Sequence, residues 1–126
     1  MTERELLERT KRFGLRIFKV VGALPQTIQG KAVASQLIRS GTSVAANYRA
    51  ACRARSKPEL VAKLGVVEEE ADESAFWLEL IIETHLLSAA KVRPLLIEAG
   101  EIVAMMASSK KTAAKSQIAN RKAAIR

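Results

Sequence analysis

The sequence has few aromatic residues, few residues that form turns, and little cysteine. Its 126 residues include one tryptophan, one tyrosine and three phenylalanines, although 48% of the residues are hydrophobic. The apolar residues are therefore mostly leucine, isoleucine, valine and alanine, the mixture that packs helix against helix. Only three prolines and six glycines are present. Because these residues mark turns, their scarcity predicts a few long elements.

Other absences exclude whole classes of protein. The single cysteine, Cys52, excludes a disulfide framework and a cysteine-based metal site. No apolar run approaches the ~20 residues that span a bilayer, so we expect no membrane partner. The first twelve residues are charged throughout and do not have the apolar segment of a signal peptide. These features predict a protein of the reducing cytoplasm.

Apolar residues recur at helical spacing in four segments. Thr2 and Glu5 have the spacing of a capping box, Pro25 ends the first helix, and Ser56 is a suitable N-cap. Short links force neighbouring helices to run antiparallel. The prediction is an all-α, up-down-up-down four-helix bundle over residues 1–112, followed by a basic tail, frayed or disordered, over 113–126. The predicted helices and links are Thr2–Leu24, Gln26–Gly30, Lys31–Ala54, residues 57–87, Ser88–Arg93, and a last helix that starts at Pro94.

Three residues within these helices call for an interpretation. Gly41 interrupts the apolar pattern of the second helix, where glycine costs ~1 kcal/mol relative to alanine. We interpret it as a close helix crossing, with a functional break as the alternative. His85 ends the apolar stripe of the third helix and is predicted to be a partly buried structural residue. Asn47 is either a buried polar anchor for assembly or an ordinary surface position.

Charge is unevenly distributed over a net +8. Residues 9–19 contain five basic residues and residues 31–57 contain six, and neither segment has an acid. Residues 59–86 contain eight acids and one lysine, whereas residues 110–126 contain six basic residues and no acid. Such segregation supports weak ion pairs inside the bundle, or head-to-tail docking of identical chains into a ring. The basic tail suits a polyanion or serves only to keep the chain soluble.

No catalytic, cofactor or metal site is predicted. A di-iron centre needs Glu-x-x-His pairs, but the only histidine has Ile82 three residues before it. Arginines near Cys52 could lower its thiol pKa, yet the position suits a small core residue and no base lies close in sequence. The chain has no phosphate-binding glycine loop and no nucleophile elbow. We therefore expect a protein that is not an enzyme.

Basic residues are instead candidates for contact with nucleic acid. Aromatic residues are not interleaved with them, so phosphate contact without strong sequence preference is expected for RNA or DNA. The alternative is a protein-interaction scaffold whose basic face meets an acidic protein. The candidate residues are Arg12, Arg16, Lys19, Arg39, Arg49, Arg53, Arg55, Lys110 and Lys111.

Several motifs between residues 10 and 112 resemble one known family. Together they are similar to the four-helix-bundle proteins of 23S ribosomal RNA intervening sequences. This resemblance implies an antiparallel bundle that assembles as a homopentamer. A related accessory protein of diversity-generating retroelements implies nucleic acid and a reverse transcriptase as partners. The matching residues are Ser35–Gln36–Leu37, Arg39, Ser43–Val44–Ala45–Ala46–Asn47, Ser56–Lys57, Glu70–Ala71–Asp72–Glu73–Ser74, Trp77–Leu78 and Glu98–Ala99–Gly100–Glu101–Ile102.

Overall fold

Four helices account for most of the chain. The structure is a computed structural model that describes the backbone of residues 1–125 and the side chains of residues 1–116. Links of four or five residues join the helices, which therefore alternate in direction and confirm the predicted antiparallel bundle. The helices are α1 (Glu3–Ala23), α2 (Ile28–Ala51), α3 (Lys57–Glu83) and α4 (Ala89–Ile125).

Polar side chains define where three of these helices begin. The Thr2 hydroxyl accepts the Glu5 amide at 3.1 Å while the Glu5 carboxylate accepts the Thr2 amide, as the predicted capping box requires. Ser56 accepts the Glu59 amide at 3.2 Å, which confirms it as an N-cap. Thr27 caps α2 in the same way, through Gly30 at 3.0 Å. Because this cap was missed, the predicted start of α2 was three residues late.

α3 ends at Glu83, four residues before the predicted end. The amide of Leu86 donates to the Ile81 carbonyl and that of His85 to the Ile82 carbonyl, each at 3.1 Å, which is the Schellman arrangement. His85 has the left-handed φ of 58° that this motif requires. The prediction of a partly buried His85 was wrong, because the left-handed turn directs its side chain into solvent. The buried stripe of α3 ends at Ile81.

α4 begins earlier than predicted, at Ala89. The expected link Ser88–Arg93 was wrong, since the Schellman turn has already reversed the chain by residue 88. Pro94 lies inside the helix as its sixth residue and removes one backbone hydrogen bond there. The helix continues to Ile125, while Arg126 lies outside the described residues. The division of the chain after residue 112 stays a prediction.

The helices pack in a cycle around one apolar core. α2 packs against α1 and α3, and α4 packs extensively against α3 and least against α1; over the described residues no Cα atom of α1 comes within 8 Å of one of α3. α1 and α3 are therefore diagonal neighbours. Aliphatic side chains fill most of the core, including Ile17, Leu37, Leu78 and Ile102, all fully buried.

Gly41 lies at the crossing of α1 and α2. A Cβ atom at this position would come within 2.6 Å of Cγ1 of Ile17. From the other helix, a Cβ at Gly14 would lie 3.8 Å from the Gly41 carbonyl oxygen. The interpretation of Gly41 as a close crossing is confirmed, because only a missing side chain leaves room for Ile17.

Candidate nucleic-acid interface

Two of the predicted cationic residues are paired inside the chain. Arg39 of α2 binds Glu70 of α3 at 3.0 Å and also bonds Glu73. Lys110 of α4 binds Glu68 of α3 at 2.8 Å. A nucleic-acid role for Arg39 and Lys110 stays a prediction. It would require phosphate to compete with carboxylates that are already in place.

Glu73 links Arg39 to the only tryptophan. The indole nitrogen of Trp77 donates to Glu73 Oε2 at 3.1 Å. This bond, together with that from Arg39, lowers the pKa of the Glu73 carboxyl. The network joins the flank of α2 to that of α3. It uses the Arg39 charge to hold two helices together.

Two of the predicted α1 cations lie along the groove between α1 and α4. Arg12 and Arg16 line this groove opposite Glu98 of α4. Neither they nor Lys19 has a carboxylate within 4.0 Å among the side chains described up to residue 116. Arg12 and Lys19 are exposed and Arg16 is half-buried. We call Arg12 and Arg16 the groove cations; Lys19 is not among the residues that line the groove.

Sequence analysis missed Arg9 as a structural residue. Its guanidinium binds Glu98 through two bonds of 2.7 Å and Glu101 at 2.5 Å. The Arg9 hydrogen bond is the main reason that the pKa of the Glu98 carboxyl is lowered, with a smaller effect from the charge of Arg16. No local signal could have found this pair, because 89 residues separate Arg9 from Glu98.

Three further arginines lie in the last turn of α2 and in the link that follows it. Arg49 and Arg53 are exposed and have no carboxylate partner within 4.0 Å among the described side chains. Arg55 reaches Glu59 only at 3.9 Å and its side chain is 90% exposed, so this contact neutralises little. The exposed Lys57 follows. We call Arg49, Arg53 and Arg55 the end cations. The last of the predicted cationic residues, Lys111, is exposed on α4.

The outer edge of α3 has the opposite charge. Phe76 is 49% exposed there, in a row of exposed residues spaced three and four apart. None of the four acids in this row has a cationic partner within 4.0 Å among the side chains that the structure describes. We call this row the acidic ridge, and it consists of Glu69, Asp72, Phe76, Glu79 and Glu83.

α1 carries a matching basic row. Leu15 and Phe18 are 59% and 56% exposed, and Lys11 and Lys19 lie one turn to either side of Leu15. We call Lys11, Leu15, Phe18 and Lys19 the basic ridge. Because α1 and α3 are diagonal neighbours, the two ridges lie on opposite edges of the bundle and cannot meet within one chain.

Other chemistry finds little support in the described residues. Burial, and then the charge of Glu3, raises the pKa of the Cys52 thiol, which disfavours the thiolate nucleophile. Residues 1–116 contain no group of three histidine, cysteine or acidic side chains arranged to hold a metal. Among the helices over the described residues, none has the length and hydropathy to span a bilayer.

Asn47 is half-buried and donates to the Ser43 carbonyl and hydroxyl of its own helix.

These features define a small all-α bundle with segregated surface charge. The chain belongs to the family of 23S rRNA-intervening sequence proteins, which matches residues 2–108. Its structure is similar to the crystal structure of a protein of unknown function from the S23 ribosomal protein family of Bacteroides thetaiotaomicron, with a TM-score of 0.78. The two sequences are 29% identical, and the match covers 88% of this chain and 99% of the other. No curated protein matches the chain.

Proposed function

We propose that this chain is a non-enzymatic homo-oligomer, a ring of five, that binds nucleic acid through its exposed cations without strong sequence preference. The observation that carries the proposal is the separation of unpaired charge. The acids of the acidic ridge have no cationic partner, and Arg12, Arg49 and Arg53 have no carboxylate partner, among the described side chains. The number five comes from the family resemblance.

The two ridges support head-to-tail assembly. Each combines exposed apolar side chains with charge of a single sign, so the acidic ridge of one chain complements the basic ridge of the next. Burying Phe18 and Phe76 removes apolar surface from water, which stabilises association. A contact between two different surfaces is heterologous, and it closes into a ring when the rotation allows.

Light scattering tests the assembly. We expect Phe18→Asp or Phe76→Asp to convert the oligomer to monomer, because each places an unpaired charge in the contact. Ile97→Asp is the matched control, since Ile97 is 57% exposed on α4, outside both ridges. It should leave the mass unchanged. If light scattering shows that the wild-type chain is a monomer at micromolar concentration, the proposed homo-oligomer is wrong.

A charge exchange tests the pairing itself. Lys11→Glu with Lys19→Glu should weaken assembly, as should Asp72→Lys with Glu79→Lys. The variant that combines all four substitutions has the charges exchanged at these positions, with lysines on α3 and glutamates on α1. The exchanged side chains again attract each other, so we expect the oligomer to re-form. Failure to recover, with the helix content intact, would show that these ridges are not the contact.

The end cations support binding of a polyanion. They lie at one end of the bundle, beside the start of α3, whereas the acidic ridge occupies the half of α3 farther from that end, so every chain of a ring presents one copy. Arginine contacts to phosphate release counterions and read no base edges. Repetition of the group around a ring raises the effective affinity for a long polyanion.

Fluorescence anisotropy with labelled single-stranded RNA and duplex DNA tests this binding. Replacing Arg49, Arg53 and Arg55 by Glu should weaken binding at least tenfold for every sequence and flatten its dependence on salt. The matched control replaces the exposed residues Lys31, Lys91 and Arg93, near the opposite end, by Glu. If both variants lose the same affinity, binding depends on net charge alone and not on the end cations. If the wild-type chain shows no salt-dependent binding, the nucleic-acid part of the proposal is wrong.

A protein partner, including the reverse transcriptase that the resemblance implies, is the alternative occupant of the same basic surface. Affinity capture from a nuclease-treated lysate separates the two cases. A partner that remains after nuclease treatment, and is lost with the end cations, supports the scaffold.

A further inference from the structure

A cavity of about 880 Å³ opens at the end of the bundle where α1 begins, α2 ends and α3 begins. Residues 105–116 of α4 form its remaining wall. Ligand pockets in proteins commonly measure ~300–1,000 Å³. The cavity therefore has the size of a site for one small molecule.

The inner wall of this cavity is apolar. Leu6, Ala51, Leu64 and Ala113 are buried and line it together with the half-buried Leu60. The lining side chains come from all four helices, and the cavity is an open recess at this end of the bundle. Such a wall favours an aliphatic or aromatic body over a polar one.

The side chain of Tyr48 adds a polar group to the lining of the cavity. Tyr48 is only 6% exposed as a residue, but no fully buried side-chain nitrogen or oxygen of the described residues lacks a partner. Its hydroxyl, which has no nitrogen or oxygen partner among them, therefore lies at the solvent-accessible surface of the cavity. Its polar neighbour is the Cys52 thiol, a weak partner, and burial raises the pKa of the Tyr48 phenol. Because the hydroxyl is at the cavity surface and has no nitrogen or oxygen partner among the described residues, its proton is available to a ligand.

The mouth of the cavity favours negative charge. Arg55 and Lys57 line it, and both are exposed. The N-terminus of α3 begins at Lys57 and adds the positive end of its dipole. Glu3 lies at the same mouth and opposes an anion, but its carboxylate is exposed to solvent.

From this arrangement we infer that the cavity binds a small amphipathic carboxylate, with its apolar body among Leu6, Leu60 and Leu64. The carboxylate accepts hydrogen bonds from the Tyr48 hydroxyl and from Arg55 or Lys57. This inference is independent of the proposed function, because it requires neither assembly nor nucleic acid.

Isothermal titration calorimetry with decanoate, below its micelle concentration, tests the inference on the full chain. Decanoate should bind once per chain and at least tenfold more tightly than decylammonium, which has the same tail and the opposite charge. Tyr48→Phe and Lys57→Gln should each weaken decanoate binding several-fold. Glu3→Gln should strengthen it, since a repulsive charge is removed. Absence of saturable binding, or equal binding of the two amphiphiles, would overturn the inference.

A second pair of variants distinguishes the cavity from other apolar surface. Thr112→Phe places a ring at the exposed rim of the cavity and should weaken binding at least tenfold. Ala104→Phe adds the same side chain to an exposed position of α4 outside the cavity and should leave binding unchanged. Circular dichroism confirms that both variants fold. Equal losses would mean that decanoate adsorbs elsewhere.

Discussion

α1 meets its two neighbours in different ways. Against α2 it packs closely, with Ile17 seated over Gly41 and no room for a Cβ atom between them. Against α4 it packs loosely, through Arg9 and its two glutamates, with the groove cations and part of an open cavity alongside. One helix thus joins the bundle by shape complementarity on one side and by charge on the other.

The difference predicts how each contact responds to its surroundings. Dispersion and apolar burial at the α1–α2 crossing depend little on pH or salt. The ion pair of Arg9 with Glu98 lowers the pKa of the Glu98 carboxyl and needs that carboxyl ionised, so acid weakens the α1–α4 contact first. The loose side is also where the groove cations and the candidate ligand cavity lie. The close packing of α1 against α2 holds α1 in position, while the groove cations and the cavity stay accessible.

Gly41→Ala tests the tight contact and should have the largest effect. The added methyl group would lie 2.6 Å from Ile17 Cγ1, so the Ile17 side chain or the two helices must shift. Overpacking of this kind costs about 1–3 kcal/mol in the free energy of unfolding, measured by urea denaturation. Gly100→Ala is the control. Nothing lies within 4 Å of a Cβ there, so the variant should gain about 1 kcal/mol from helix propensity.

Arg9→Gln tests the loose contact. Removing a charged donor from the half-buried Glu98 should lower the free energy of unfolding by about 1.5 kcal/mol in the same assay. Arg4→Gln is the matched control, because the Arg4 side chain is 89% exposed beside Glu8. Its effect should stay within about 0.5 kcal/mol. If the two variants lose equally, the α1–α4 contact does not depend on its ion pair.

Glu98→Gln should make the free energy of unfolding less dependent on pH. We expect this effect to be smaller than those of Gly41→Ala and Arg9→Gln. Arg9 lowers the Glu98 pKa below its usual 4.5, so the stability it contributes is fully present above that value. That contribution is lost as pH falls through the lowered pKa. The difference in unfolding free energy between wild type and Glu98→Gln should therefore shrink as pH falls below 4.5. A difference that does not change with pH would contradict the assignment.

The sequence predicted the number and direction of the helices because these follow from local patterns. Apolar spacing, Pro25, and the caps at Thr2 and Ser56 each act within a few residues. Errors arose where one local signal was overridden by another. The Schellman turn at His85 needs a left-handed residue, for which histidine is a poor indicator. That turn also moved the start of α4 ahead of Pro94.

The candidate site was only partly predictable. Sequence analysis identified the end cations and groove cations from charge alone. It could not show that Arg39 is paired with Glu70 and Glu73, 31 and 34 residues further along the chain. Arg9 was missed for the same reason. The cavity beside Tyr48 depends on the angle at which four helices meet, which no local pattern records.

By itself, the sequence determined an all-α chain with positive charge on α1 and α2 and negative charge on α3, because helix formation and helix charge depend on residues close together. The tertiary structure alone decided which charges neutralise each other, since Arg39, Arg9 and Lys110 find their carboxylates on other helices. It also placed the basic and acidic ridges on diagonal helices, where distance prevents them from pairing within one chain.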